Sequence, residues 1–305
     1  MEALRKIKYI ALLAVALSYA FAFASAYAVT NMFGNSLNPL LTVLIADLVA
    51  TGVVFICSVI VDNSSMYDPY WSVAVPIILY YWITNSPTRW TIFNSILFGA
   101  ICLWSIRLTL NCFVHWQHLD DEDWRYVSFR KQFGICYWPV SLFAIHLFPT
   151  LIVFACCIPA YSLIQSGEVT NIVWYVAGIA LIITGFVLQL IADIQMDRFI
   201  QNRTNHDEVC SEGLWQYSRH PNYLGEISIW YGVTLCSWGF GGPFWAFIVF
   251  PLAMTILFLS YSIPAMERHI LARRPQYKLV QQTVSMVIPW PPRTVSEEQQ
   301  TQEIH

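Results

Sequence analysis

The densest group of side chains able to do chemistry in this 305-residue chain lies between Arg203 and Glu226. Arg203, Tyr217, Arg219, His220, Asn222, Tyr223 and Glu226 crowd together at the entry to an apolar run. Arginine and histidine hold phosphates through charge-assisted hydrogen bonds. Tyrosine and tryptophan cover a flat ring. Asparagine offers a carboxamide one donor group and one acceptor. A glutamate entering low-dielectric surroundings can serve as an acid. Asn222 and Glu226 are four residues apart, which puts them on one helical face. These are the requirements for gripping a phosphorylated, ring-bearing cofactor without a soluble nucleotide domain. A basic juxtamembrane loop on lipid headgroups is the competing reading. It accounts for the arginines but not for the Asn222–Glu226 pair.

Charged groups inside apolar runs are the second signal, since each costs at least ~2.5 kcal/mol at a bilayer centre. Arg107 sits in Leu-Trp-Ser-Ile-Arg-Leu and reads as a phosphate or substrate ligand. Asp47 is open between a ligand and an ion pair. Asp193 lies near the end of its run and belongs with the Arg203–Glu226 group. His115, His118 and Asp120 to Asp123 form an acidic stretch without regular ligand spacing, which we read as a solvated loop rather than a metal site. His146 stands alone in an apolar run and reads as a hydrogen-bonded core residue. None of the 8 cysteines makes a Cys-x-x-Cys or Cys/His zinc spacing, so they read as small buried hydrophobes. No metal is expected.

The elements that must position these residues are membrane helices. The chain is 57% hydrophobic and 11% charged, against roughly 25% charged in soluble proteins, and its mean hydropathy is +0.52. A net charge of −3 gives no reason to expect nucleic acid as a partner. Eight hydrophobic segments run over about 9–29, 40–61, 70–84, 90–112, 137–164, 171–195, 226–239 and 243–263. The third and seventh are short enough to be tilted, kinked or re-entrant. The first follows Arg5, Lys6 and Lys8 and ends near Ala-Ser-Ala, like a secretory leader. Its length favours an uncleaved first span. With a cytoplasmic N-terminus, 14 of the 16 basic residues fall in cytoplasmic positions, Arg89 and Arg107 being the exceptions. The fold class expected is therefore all-α: a polytopic transmembrane helical bundle of about 7–8 spans with cofactor-binding cytoplasmic loops. The Glu- and Gln-rich end from Thr294 reads as a disordered tail.

Gly213-Leu214-Trp215-Gln216-Tyr217-Ser218-Arg219-His220-Pro221-Asn222-Tyr223-Leu224-Gly225-Glu226 closely resembles the signature of the steroid 5-alpha-reductase-like membrane family, in particular its DUF1295 branch. Other pieces follow in the family's order. Asp68-Pro69-Tyr70-Trp71 resembles its early Asp-x-x-Trp. Trp104 with Arg107-Leu108 resembles its Trp-Gly-x-Arg-Leu, Ser105 standing in place of the glycine. Glu122 to Tyr126, Ala192-Asp193-x-Gln195, Glu267-x-His269, Arg273-Arg274-Pro275-x-Tyr277 and Ile288-Pro289-Trp290 complete the match. It covers roughly residues 65–292. The expected organisation is N-terminal helices over 1–64, the family domain over 65–292 and a tail over 293–305.

The resemblance implies reduction of an activated C=C bond in a steroid or other lipid-soluble substrate, with NADPH as cofactor. It assigns the nicotinamide to Asn222 and Glu226, and the nucleotide to Asp193, Asp197 and Arg203. Arg107, Tyr217, Arg219, His220, Glu267, His269 and Tyr277 complete the expected cofactor-binding set. Glu226, Tyr223 and Asp68 are the expected catalytic residues. The same segment is similar to isoprenylcysteine carboxyl methyltransferases, so S-adenosylmethionine-dependent methylation of an apolar or prenylated acceptor is the alternative. A non-catalytic lipid-binding protein is the third reading. The expected location is a multi-pass position in the endoplasmic reticulum of a eukaryote or the plasma membrane of a bacterium.

Overall fold

The computed structural model describes residues 5–34, 36–205 and 207–293. The expected tail from Thr294 lies outside the described residues. Among the described residues every regular element is helical, and one isolated parallel bridge pairs Ser218 with Ser285. Among the described residues six helical stretches are long and apolar enough to cross a membrane: Lys8–Phe33, Pro39–Val61, Ile92–His115, Trp124–Ser166, Ile172–Asn202 and Phe244–Arg273. The protein is an all-helical, polytopic integral membrane protein. Two of the eight hydrophobic segments fall outside these six. Segment 70–84 is a 15-residue helix containing Pro76. At 1.5 Å per residue it reaches about 22 Å, short of the ~30 Å hydrocarbon core. Segment 226–239 falls in the 18-residue helix Pro221–Trp238, which buries Glu226, Thr234 and Ser237.

The chain divides into two compact units, Met1–Thr170 with Phe240–Gly242, and Asn171–Gly239 with Pro243–His305. In the first, α1 (Lys8–Phe33) packs on α2 (Pro39–Val61). One stripe of α1, Ala11, Val15, Tyr19 and Ala22, is buried, while Leu13, Leu17 and Phe21 face outward, as a lipid-facing helix requires. Pro39 occupies the first turn of α2, where no N–H is needed, and the Asn38 side chain accepts from Leu40 N at 2.8 Å. Helices α3 (Tyr70–Thr84), α4 (Ile92–His115), α5 (Trp124–Phe133) and α6 (Phe148–Ser166) follow. The turn between α5 and α6 widens into a π segment over Ser141–Leu147. Pro149 lacks an N–H and crowds the carbonyl four residues back, which explains the wider winding. His146 lies in that segment fully buried, bonded to Ser141 O at 3.0 Å and to Ser58 Oγ at 3.3 Å, as its core reading requires.

The acidic stretch is more ordered than a solvated loop. Asn63 Nδ2 donates to Leu119 O at 2.7 Å, Ser64 N to Glu122 Oε1 at 2.9 Å, and Asp123 N to Ser65 Oγ at 2.8 Å. Glu122 also takes Arg130 Nε at 2.6 Å. Backbone groups excluded from water need partners, and the acidic side chains supply them.

The second unit is built on α7 (Ile172–Asn202) and α8 (Pro221–Trp238), followed by α9 (Val249–Leu257), α10 (Ile263–Arg273) and α11 (Tyr277–Thr283). Helices α7 and α8 approach through glycines. A Cβ at Gly185 would stand 2.5 Å from Gly225 O, and one at Gly232 would stand 2.7 Å from Gly178 O. Small residues that let backbones touch are a usual means of helix association in lipid. A second π segment, Phe258–Ser262, again precedes a proline, Pro264.

Candidate functional site

The close approach of α7 and α8 brings Gln189 against the start of α8. Gln189 Nε2 donates to Glu226 Oε2 at 2.7 Å and to the Asn222 carbonyl at 3.3 Å. Trp230 Nε1 donates to Glu226 Oε1 at 2.8 Å. All three side chains are buried: Gln189 is 3% exposed, Glu226 6% and Trp230 1%. The bond to Glu226 fixes the amide orientation of Gln189, leaving its oxygen as an acceptor. That Oε1 and the side-chain Oδ1 of Asn222 are buried atoms without a hydrogen-bond partner among the described residues. A buried acceptor left unsatisfied costs about 1–3 kcal/mol, and such groups call for an explanation. Gln189 thus meets the Glu226 side chain and the Asn222 main chain, four residues apart on α8. Gln189 and Trp230 were not in the predicted set. The signal for Gln189 was its place inside an apolar run, four residues before Asp193 and eight before Asp197.

Arg219 and His220 do something other than wait for a phosphate. Glu267 on α10 accepts Arg219 Nε at 2.7 Å, His220 Nε2 at 2.9 Å and Gln281 Nε2 at 2.6 Å. Arg219 Nη1 donates to the carbonyls of Gln281 and Val284 at 2.8 and 2.7 Å. The Arg219 and Glu267 side chains are each 8% exposed. Tyr277, buried, places its hydroxyl 3.4 Å from Glu267 Oε1. Burial, and secondarily the Glu267 charge, push that phenol's pKa above its ordinary value. Backbone pairing closes the group: Arg219 N donates to Ser285 O at 2.8 Å, Ser218 Oγ to Val287 O at 2.7 Å and Trp290 N to Tyr217 O at 3.0 Å. The result is a clasp that fastens the chain after α11 to the segment before α8. Arg219, with Thr283, Ser285, Trp290 and Arg293, also lines a pocket of about 450 Å³.

The segment 213–216 is fastened to α7 by Gln195, whose Oε1 accepts Leu214 N at 2.9 Å, and by Trp215 Nε1, which donates to Ala192 O at 3.0 Å. Gly213 has φ +58 there, with the Gln195 side chain against its missing Cβ, so the position needs glycine. Tyr217 is 40% exposed. Tyr223 is half-buried, its ring edge-on to His220 and to Phe258 at centroid distances of 5.7 and 4.8 Å. Asp193 and Asp197 lie half-buried one turn apart on α7, and His269 half-buried on α10. Arg203 follows α7 and comes near Arg274: burial first, then Arg203 and more weakly Arg273, lower the Arg274 pKa, against the raising effect of Asp207. A cationic group of Arg203, Arg273 and Arg274 is therefore assembled from distant parts of the chain. Spacing alone did not reveal it.

Asp68 and Arg107 belong to the first unit. Arg107 is half-buried on α4. Asp68 precedes α3 and accepts a very short hydrogen bond from the Tyr126 hydroxyl, with Arg125 Nη2 at 3.9 Å. Burial pushes the Asp68 carboxyl up to about 7, against the lowering effect of Arg125.

The family described as protein of unknown function DUF1295 matches residues 54–284. An uncharacterized protein of Schizosaccharomyces pombe (strain 972 / ATCC 24843) is 26% identical over 224 residues, covering 65% of this chain and 64% of that protein. No solved structure matches the chain. The family match begins within α2 and ends just after α11, so it takes in Gln189, Arg219, Asn222, Glu226 and Glu267 but stops before Ser285, Val287 and Trp290. This membrane protein belongs to the DUF1295 family.

Proposed function

We propose that the protein is a membrane-embedded NADPH-dependent reductase of an activated C=C bond in a steroid or other lipid-soluble substrate. The observation that carries the reading is the pair of buried acceptors, Asn222 Oδ1 and Gln189 Oε1, without a donor. On this reading the amide N–H groups of a nicotinamide carboxamide would satisfy them. NADPH supplies a hydride when bound; the chain's residues would hold and orient it. Glu226 holds Gln189 in the acceptor-forward orientation. Arg203, Arg273 and Arg274 form the cationic group suited to phosphates. Arg219 and His220 act through Glu267 and position the start of α8. Tyr223 remains the candidate proton donor toward substrate.

The test is a titration of purified protein in detergent, read by nicotinamide fluorescence. Saturable NADPH binding is expected, weakened at least tenfold, about 1.4 kcal/mol, in Asn222→Ala. Arg203→Ala and Arg274→Ala should weaken it less at high salt than at low salt. Unchanged affinity in Asn222→Ala would remove the assignment. Saturable binding of S-adenosylmethionine alone would replace it with the methyltransferase reading.

A further inference from the structure

A cavity of about 490 Å³ opens in the first unit between α1, α2 and α3, within the ~300–1,000 Å³ range of small-molecule sites. Its walls are alanines and aromatic rings, including Phe23, Tyr27 and Tyr80. Asp47 and Tyr70 also line it, 7% and 1% exposed. The Tyr70 hydroxyl donates to Asp47 Oδ1 at 2.9 Å. Phe23 stacks on the Tyr70 ring at 5.9 Å and Tyr19 meets it edge-on at 5.7 Å, so the phenol is held in place. Asp47 lies eight residues into α2, roughly 12 Å from the helix start. A carboxyl group at such depth is costly and is by default functional. One of its oxygens is satisfied by Tyr70. The other has no hydrogen-bond partner among the described residues and faces a space that an apolar body would fill. Thr30, Asn31, Thr84 and Asn85, at the C-terminal ends of α1 and α3, give the cavity a polar rim.

We infer that this cavity binds a lipid-soluble amphiphile whose polar end carries a hydrogen-bond donor, a hydroxyl or an amine, received by Asp47 Oδ2. The aromatic and alanine walls take the apolar body, and Tyr70 keeps the carboxyl aimed. The site stands independently of the reductase reading, because no residue of the second unit enters it.

The experiment uses the full chain in lipid nanodiscs, with radiolabelled cholesterol as the alcohol probe and hexadecylamine as the amine probe. At least one probe should bind saturably. Asp47→Leu should weaken that binding at least tenfold. Asp47→Asn keeps an acceptor, so a hydroxyl ligand should hold within about threefold, whereas an amine should weaken tenfold. Ala26→Trp, at a half-buried lining position, should abolish binding while leaving Asp47 in place. It decides the matter if Asp47→Leu does not yield monodisperse, helical protein. Binding of neither probe, or equal binding in Ala26→Trp and wild type, would overturn the inference. NADPH titration of the same variants keeps the two assignments separable: failure here leaves cofactor binding unchanged.

Discussion

Replacing Asn222 by leucine should stabilise the cofactor-free protein while abolishing its response to NADPH. Asn222 Oδ1 is buried without a partner, and such a group destabilises by about 1–3 kcal/mol. Leucine is close in volume and brings no polar atom, so most of that cost is returned. Its better helix propensity adds at most ~0.7 kcal/mol. For a protein of this size each kcal/mol moves Tm by about 2–4 °C, so a rise of roughly 2–12 °C is expected. NADPH at 100 times its Kd should add about 2.7 kcal/mol to the wild type and nothing to the variant. Gln189→Leu is the contrasting change. Gln189 Nε2 is a donor to Glu226, so its loss should lower Tm. Thermal unfolding in detergent with and without NADPH reads all of these. An Asn222→Leu protein less stable than wild type would show that the amide is structural, and the argument from orphaned acceptors would fail.

Three further outcomes are expected. Glu267→Gln leaves the Arg219 guanidinium, 8% exposed, without its counter-charge; removing one partner of a buried pair costs about 3–5 kcal/mol. Hydrogen exchange at the Arg219 and Trp290 amides, which close the clasp, should accelerate at least ~100-fold, and unchanged protection would refute the clasp. Gly185→Leu drives a side chain into the Gly225 carbonyl and should lower Tm by an amount set by about 1–3 kcal/mol of overpacking, with Gly99→Leu, whose Cβ position is open, as the neutral control. The Asp68 pKa is raised in the folded protein, so the stability it contributes is complete below the ordinary carboxylate value. That contribution is lost as pH rises from about 4 through about 7. Exchange-rate-corrected protection around Ser65 and Asp123 should fall over that window, and Asp68→Asn should flatten the profile.

The fold was legible because lipid imposes few options. Apolar runs of span length must become helices, since their backbone groups have no other partners in hydrocarbon. The two short segments differed for local reasons: Pro76 and a 15-residue length in one, and polar residues inside the helix in the other. The pair Asn222–Glu226 was legible from spacing, because helical periodicity converts a four-residue interval into a shared face. Gln189 was not, because its contact with Glu226 depends on how closely α7 and α8 approach. That approach is set by glycines at 178, 185, 225 and 232, whose pairing across helices no local pattern reveals. The partner of Arg219 was hidden for a similar reason. An arginine next to a histidine suits a phosphate, but Glu267 lies 48 residues away.

The buried polar groups of the second unit divide by whether the protein itself completes them. At Glu267 every oxygen is met and the surrounding donors are spent on protein acceptors. The arrangement is completed by the protein's own groups. Its physical role is to hold the segment before α8 in register. At the α7–α8 contact the carboxylate of Glu226 is equally well met, yet two acceptors beside it are left over. Selection for stability alone would remove them, since an apolar residue of like size serves the packing better. On the proposed reading, a donor-bearing ligand would complete them. Arg203 and Arg273 stand close enough to Arg274 to oppose its charge, with Asp207 acting the other way.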